Sequence, residues 1–184
     1  MKLLLLALAA VPLTAHAAGS IAEIAVGDLL PRLQGEFLNG RTAVLPEAAS
    51  GRVALLLFGF TYDSRFAVEA WAKRFRAQFE PDPGVTFYEI PMISGLAKLG
   101  KWFIDSGMRR GTPAADYEHV ITIYRGVDAW KQRVGFGDPN AAYVILLDNS
   151  GRVAWRYAGG LNEQAFRALA SEISKCLSTR KTAP

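Results

Sequence analysis

The chain has 184 residues, of which 51% are apolar and 21% charged, with a formal net charge of +4. That length suits one domain of ordinary size, and the apolar content excludes a disordered chain because it supplies enough surface for a core. Apart from Arg109-Arg110 and Arg180-Lys181 the basic residues are scattered. The basic stripe that nucleic-acid binding requires is therefore missing.

Met1 to Ala18 reads as a secretory signal peptide: Lys2, an apolar stretch from Leu3 to Leu13, then Ala15-His16-Ala17 as an A-x-A cleavage site. The apolar run falls short of the roughly 20 residues that span a bilayer. No later segment is apolar enough to cross, so the reading is an exported chain, periplasmic in a bacterium, without a transmembrane segment after cleavage. Residues 19–178 are expected to form the domain and residues 179–184 a frayed tail.

In chain order, Gln34 to Leu38, Asn39-Gly40 and Arg41 to Leu45 predict a hairpin, the Asn-Gly pair favouring a type I′ turn. Val53 to Phe60 is apolar without alternation, as in a strand covered on both faces. After one short turn the period changes: Val68, Trp71, Phe75 and Phe79 fall at helical spacing, with Arg65, Glu69, Lys73 and Arg76 on another face. Asp63 or Ser64 is placed to cap this helix. Pro81-Asp82-Pro83-Gly84 ends it, and Val85 to Ile90 predicts a second central strand. Ser94 to Met108 predicts a helix with Leu96, Leu99, Trp102 and Phe103 on its apolar side, terminated by Gly107, Gly111 and Pro113. Val120 to Tyr124 is a short strand and Val127 to Val134 a short helix. Ala142 to Leu147, the turn Asp148-Asn149-Ser150-Gly151 and Arg152 to Tyr157 form a hairpin. Asn162 then caps a last helix bearing Phe166, Leu169, Ile173 and Leu177.

The side chains that could carry chemistry are few. Cys176, the only cysteine, cannot form an internal disulfide. It falls in step with Phe166, Leu169 and Ile173, where a cysteine acts as a small apolar residue. Outside the leader His119 is the only histidine, and it has no spaced Cys or His companion for copper or zinc. Asp63, Glu69 and Glu89 could share a region, but Asp63 is explained as a cap and Glu69 as the i,i+4 partner of Arg65 and Lys73. No phosphate loop or Gly-x-Ser-x-Gly elbow occurs. These observations predict no catalytic residue, no metal and no cofactor. Tyr62 and Tyr143 are expected to flank the C-terminal edge of the central strands, a usual place for ligand contact in open α/β sheets. Together with Asp63, Ser64, Arg65 and Ala142 they make a candidate partner-binding patch of the side-chain types found at interface hot spots.

A βαβ unit followed by a β-hairpin and a helix describes an α/β chain with a mixed sheet flanked by helices on both faces, an N-terminal β-hairpin and a helical insertion. This order resembles the thioredoxin-like fold. There the strand–helix junction carries two cysteines in the first helical turn, whereas this chain has Asp63-Ser64-Arg65-Phe66. The position expected to hold that fold's cis-proline is Ala142, and a cis bond before a non-proline costs ~3 kcal/mol, so a trans bond is expected. More specifically, three pieces resemble the thioredoxin-like assembly factor for the membrane sector of mitochondrial ATP synthase and its bacterial relatives. They are Phe58-Gly59-Phe60-Thr61-Tyr62 through Glu69-Ala70-Trp71, Tyr124-Arg125-Gly126, and Ala142-Tyr143-Val144-Ile145-Leu146-Leu147 through Asp148, Gly151, Trp155 and Arg156. The resemblance implies a redox-inactive thioredoxin-like fold that acts as an assembly chaperone on a protein client, a subunit of a membrane complex. Two alternatives stand beside it. One is a thiol-dependent peroxidase or reductase using Cys176, or a cysteine-free activity around Asp63. The other is a periplasmic small-ligand binder using a Tyr62–Tyr143 cleft.

Overall fold

A computed structural model describes residues 21–95 and 100–182; the signal peptide expected at Met1 to Ala18, and the positions of Leu96 and Leu99, lie outside the described residues. The elements run β1 (Leu33–Phe37), β2 (Thr42–Leu45), β3 (Val53–Gly59), α1 (Ser64–Phe79), β4 (Val85–Pro91), α2 (Lys101–Gly111), β5 (Ile121–Thr122), α3 (Val127–Val134), β6 (Ala142–Leu147), β7 (Val153–Gly159) and α4 (Glu163–Thr182).

Every residue of β3 is buried, as its unbroken apolar run requires of a strand with both faces covered. It pairs in parallel with β4 and antiparallel with β6, which pairs antiparallel with β7, giving the order β4-β3-β6-β7. Alternate residues of β3 feed two cores. Val53, Leu55 and Leu57 meet Trp71 and Phe75 of α1 and Phe166, Leu169 and Ile173 of α4. Ala54, Leu56 and Phe58 meet Leu45 of β2, Ile121 of β5 and Trp130 of α3, whose indole stacks on Phe58 at 5.4 Å. The expected mixed sheet with helices on both faces is what forms.

The N-terminal hairpin pairs β1 with both β2 and β5, and single parallel bridges, Glu89 to Val120 and Met92 to Ile123, link that strip to β4. The turn differs from the type I′ expectation. Among the described residues none other than glycine has a positive φ, so Asn39 does not; in this loop Gly40 alone adopts one, at +85°. Phe37 N–H donates to Arg41 O at 2.9 Å, and Gly40 N–H donates to Phe37 O at 2.9 Å. This is a three-residue hairpin loop closing on a left-handed glycine.

Two helix boundaries also differ. α4 continues to Thr182, so residues 179–182 are helical where a frayed tail is expected. Gly107 lies inside α2 instead of ending it, and Trp102 and Phe103, expected on the buried side, are 78% and 69% exposed.

Candidate functional site

The C-terminal end of β3 delivers Phe60, Thr61 and Tyr62 to the start of α1. Thr61 and Ser64 close this turn reciprocally, in the manner of a capping box. Thr61 Oγ1 accepts from Ser64 N–H at 3.1 Å, while Ser64 Oγ accepts from Thr61 N–H at 3.2 Å and donates to Thr61 O at 2.8 Å. The Asp63 side chain caps nothing, which corrects the expected role of that residue. Ser64 is fully buried against Gly59, where a Cβ would sit 2.9 Å from Ser64 Oγ. Glycine at 59 is thus the condition for this seal.

Thr61 Oγ1 also donates to Pro139 O at 2.6 Å, tying the first turn to the segment that precedes β6. Tyr143 holds that segment from below. Its hydroxyl accepts from Gly137 and Asp138 N–H at 2.8 and 2.9 Å and donates to Asp138 O at 3.0 Å, and its ring packs on Phe60 and Phe136. Tyr143 and Ala142 are buried, so no cleft opens between Tyr62 and Tyr143. Of the six residues expected to form the patch, Ser64, Ala142 and Tyr143 are support and cannot touch a partner. The Ala141–Ala142 peptide is trans.

What reaches solvent is Tyr62, Asp63, Arg65 and Phe66. Tyr62 is 73% and Phe66 59% exposed, and the Arg65 guanidinium stands 3.9 Å from the Tyr62 ring centroid and 4.5 Å from that of Phe66. Each such contact is worth about 0.5–1 kcal/mol at an exposed site. The pair holds the cation in place instead of pairing it with Glu69, as the i,i+4 spacing suggests. The result is a flat aromatic–cation pad on a fixed helix terminus, able to stack on and hydrogen-bond to a partner. Phe66 was missed because its period places it off the buried stripe, which reads as ordinary surface. The Thr-x-x-Ser spacing of Thr61 and Ser64 was the legible signal for the cap.

The acids separate. Asp63 stays on the pad, while Glu89 of β4 points beneath α1 into a pocket of about 320 Å³ lined by Glu69, Ala72, Lys73 and Arg76. Burial, and next the Glu69 charge, raise the Glu89 carboxyl to about 7. The Arg76 charge offsets this only in part, its guanidinium being paired with Asp116 and Glu80, each at 2.8 Å. His119 stacks on Phe87 at 4.5 Å with Nδ1 3.0 Å from Phe87 O, at the entry to β5. Among the described residues no group of His, Cys, Asp or Glu is arranged to hold a metal ion.

Cys176 is half-buried at the margin of the α1–α4 core. Burial, followed by the Asp148 charge, pushes its thiol pKa up. Asp148 follows the end of β6 that pairs with Ala54, whereas the pad lies beyond Gly59 at the other end of β3. The two ends of a seven-residue strand lie ~20 Å apart at about 3.3 Å per residue.

This architecture is thioredoxin-like. The chain is similar to the solution structure of a proposed protein disulfide isomerase from Bacteroides thetaiotaomicron, with a TM-score of 0.59 and 16% identity over 84% of this chain and 91% of that one. It is similar also to a proposed thiol:disulfide interchange protein DsbE from Chlorobium tepidum (TM-score 0.57, 16% identity, 84% and 99% covered). The exposed lipoprotein thioredoxin Etrx1 of Streptococcus pneumoniae matches with a TM-score of 0.53 and 12% identity over 77% and 99%. At these identities the likeness defines the fold and not the activity. No protein-family model matches the sequence, nor does any curated protein. Among the described residues no helix is long and apolar enough to cross a membrane.

Proposed function

We propose that this chain is an exported, redox-inactive thioredoxin-like protein that binds a protein client through the pad formed by Tyr62, Asp63, Arg65 and Phe66. The observation that carries the reading is the content of the first helical turn. Where thiol exchange needs a thiolate stabilised at a helix N-terminus, the chain has Asp63 and Phe66 at the two positions where the thiols would be, and neither bears sulfur. Rigid aromatic rings beside an arginine give large contact area at small entropic cost, and such side chains dominate binding energy at interfaces. Cys176, remote from the pad and with a raised pKa, is a poor nucleophile. The resemblance to the ATP synthase assembly factor points to a membrane-complex subunit as the client, with the protein acting as an assembly chaperone in the periplasm.

Photo-crosslinking from position 62 in the native host tests this. The expected product is one membrane-complex subunit, lost in an Arg65→Ala/Phe66→Ala variant that remains folded. Recovery of unrelated envelope proteins alone overturns it. So does insulin reduction or peroxide consumption by the purified protein that Cys176→Ser abolishes.

A further inference from the structure

α2 is mounted with its polar side inward. Its one buried residue is Asp105. Lys101 Nζ donates to Asp105 Oδ2 at 2.6 Å and to Glu36 Oε2 of β1 at 3.0 Å, and Tyr124 Oη donates to Asp105 Oδ1 at 2.5 Å. One turn on, Arg109 Nη1 donates to Leu38 O at 3.1 Å, and Tyr117 Oη donates to Arg109 O at 2.9 Å. Lys101, Asp105 and Arg109 lie at i, i+4 and i+8, so this single stripe fastens the helix to the hairpin.

The side of α2 left in solvent carries Trp102, Phe103, Gly107 and Arg110. Trp102 and Phe103 are the most exposed large apolar side chains of the described residues after Tyr62 is set aside, and neither ring meets another ring or a cation. Arg110 is exposed, and so is Arg125, next to the Tyr124 that holds Asp105. The only acid of α2 is Asp105, which is turned inward, so the outward face is aromatic and cationic without a negative charge.

From this face we infer that α2 is a contact surface for an anionic phospholipid bilayer, with Trp102 and Phe103 seated among the headgroups and Arg110 on their phosphates. Indole and phenyl rings favour the membrane–water boundary, and an amphipathic helix that pairs them with arginine binds it in the plane. The exposed side of α2 bears Arg110 and no acid, which complements an anionic surface. The contact is peripheral, the helix being 11 residues long.

Tryptophan fluorescence of the 184-residue chain with vesicles bearing brominated acyl chains tests the inference. Residues 1–20 contain no tryptophan, Trp71 and Trp130 are buried and Trp155 is half-buried, so Trp102 is the reporter. Phosphatidylglycerol-containing vesicles are expected to quench and blue-shift the emission, phosphatidylcholine vesicles much less. Trp102→Ser should abolish the quenching with an unchanged far-ultraviolet circular dichroism spectrum. Arg110→Glu should weaken vesicle binding at least about fivefold, the worth of one cation near an anionic surface. Equal quenching in Trp102→Ser, no quenching by anionic vesicles, or indifference to Arg110→Glu would each overturn the inference. A lipid-free emission shift that grows with protein concentration would overturn it too, by assigning the face to a second copy.

Discussion

α1 and α2 both carry aromatic residues, yet α1 turns Trp71 and Phe75 inward and α2 turns Trp102 and Phe103 outward. α1 buries Val68, Trp71, Ala72 and Phe75 against β3 and α4 and leaves its charges outside. α2 buries an aspartate and leaves Trp102 and Phe103 in solvent. Apolar periodicity shows which residues share a face; it does not say what that face meets. For α1 the answer is set by an adjoining strand that must be covered. For α2 it is set by Lys101, Asp105 and Arg109, which find partners on the hairpin.

The largest expected effect separates the two tryptophans. Trp71 is fully buried, its ring lying near those of Trp155, Tyr157 and Phe166, and its Nε1–H donates to Gly159 O at 3.2 Å. Trp71→Ala should cost about 3–5 kcal/mol of stability in urea unfolding. Trp102→Ala should change it by no more than about 0.5 kcal/mol. Similar losses at both positions would break the comparison.

The acids beneath the two helices sharpen it. Asp105 has Lys101 and Tyr124, whereas the Glu89 carboxyl lies under α1 with no hydrogen bond and near Glu69. Its pKa is raised from 4.5 in the unfolded chain to about 7 in the fold. The folded state therefore holds the proton more tightly, and stability falls as pH rises from about 4.5 to about 7, staying reduced above. Glu89→Gln removes the charge, so it should leave stability unchanged in acid and raise it by up to about 3 kcal/mol in weak alkali. Thermal unfolding across that range reads the difference, and a pH-independent effect would refute the assignment. Asp105→Ala should have the opposite sign. It strands a Tyr124 hydroxyl and half of the Lys101 pairing, for a loss of about 2 kcal/mol. Amide exchange should quicken in α2 while β3 stays protected.

Most of the frame was legible in the sequence because each central element carries one dominant signal. The unbroken apolar run of β3, the change of period at α1 and the Asp148–Gly151 turn leave little choice of structure. The pad was legible only in part. Tyr62 and Arg65 could be placed at the strand end, but whether a side chain there points out or under depends on tertiary neighbours. Tyr143 alternates into the core with Phe58 as its cross-strand partner, and Ser64 is drawn in by Thr61. The inversion of α2 was not legible, since its anchors, Glu36, Leu38 and Tyr124, are distant in sequence.

The smallest effect tests whether the pad is held rigid from beneath. Thr61 supplies one oxygen that does two jobs, accepting from Ser64 N–H and donating to Pro139 O. Thr61→Val keeps the shape and loses both, so it should cost about 1 kcal/mol, the usual worth of an N-cap. Thr61→Ser keeps both and should lie within a few tenths of the parent. If the pad works by presenting rings already in place, the valine variant should also crosslink its client from position 62 less than the serine variant at equal folded population. Equal crosslinking would mean that the Tyr62–Arg65–Phe66 stack orders itself without the cap, because Arg65 touches both rings directly.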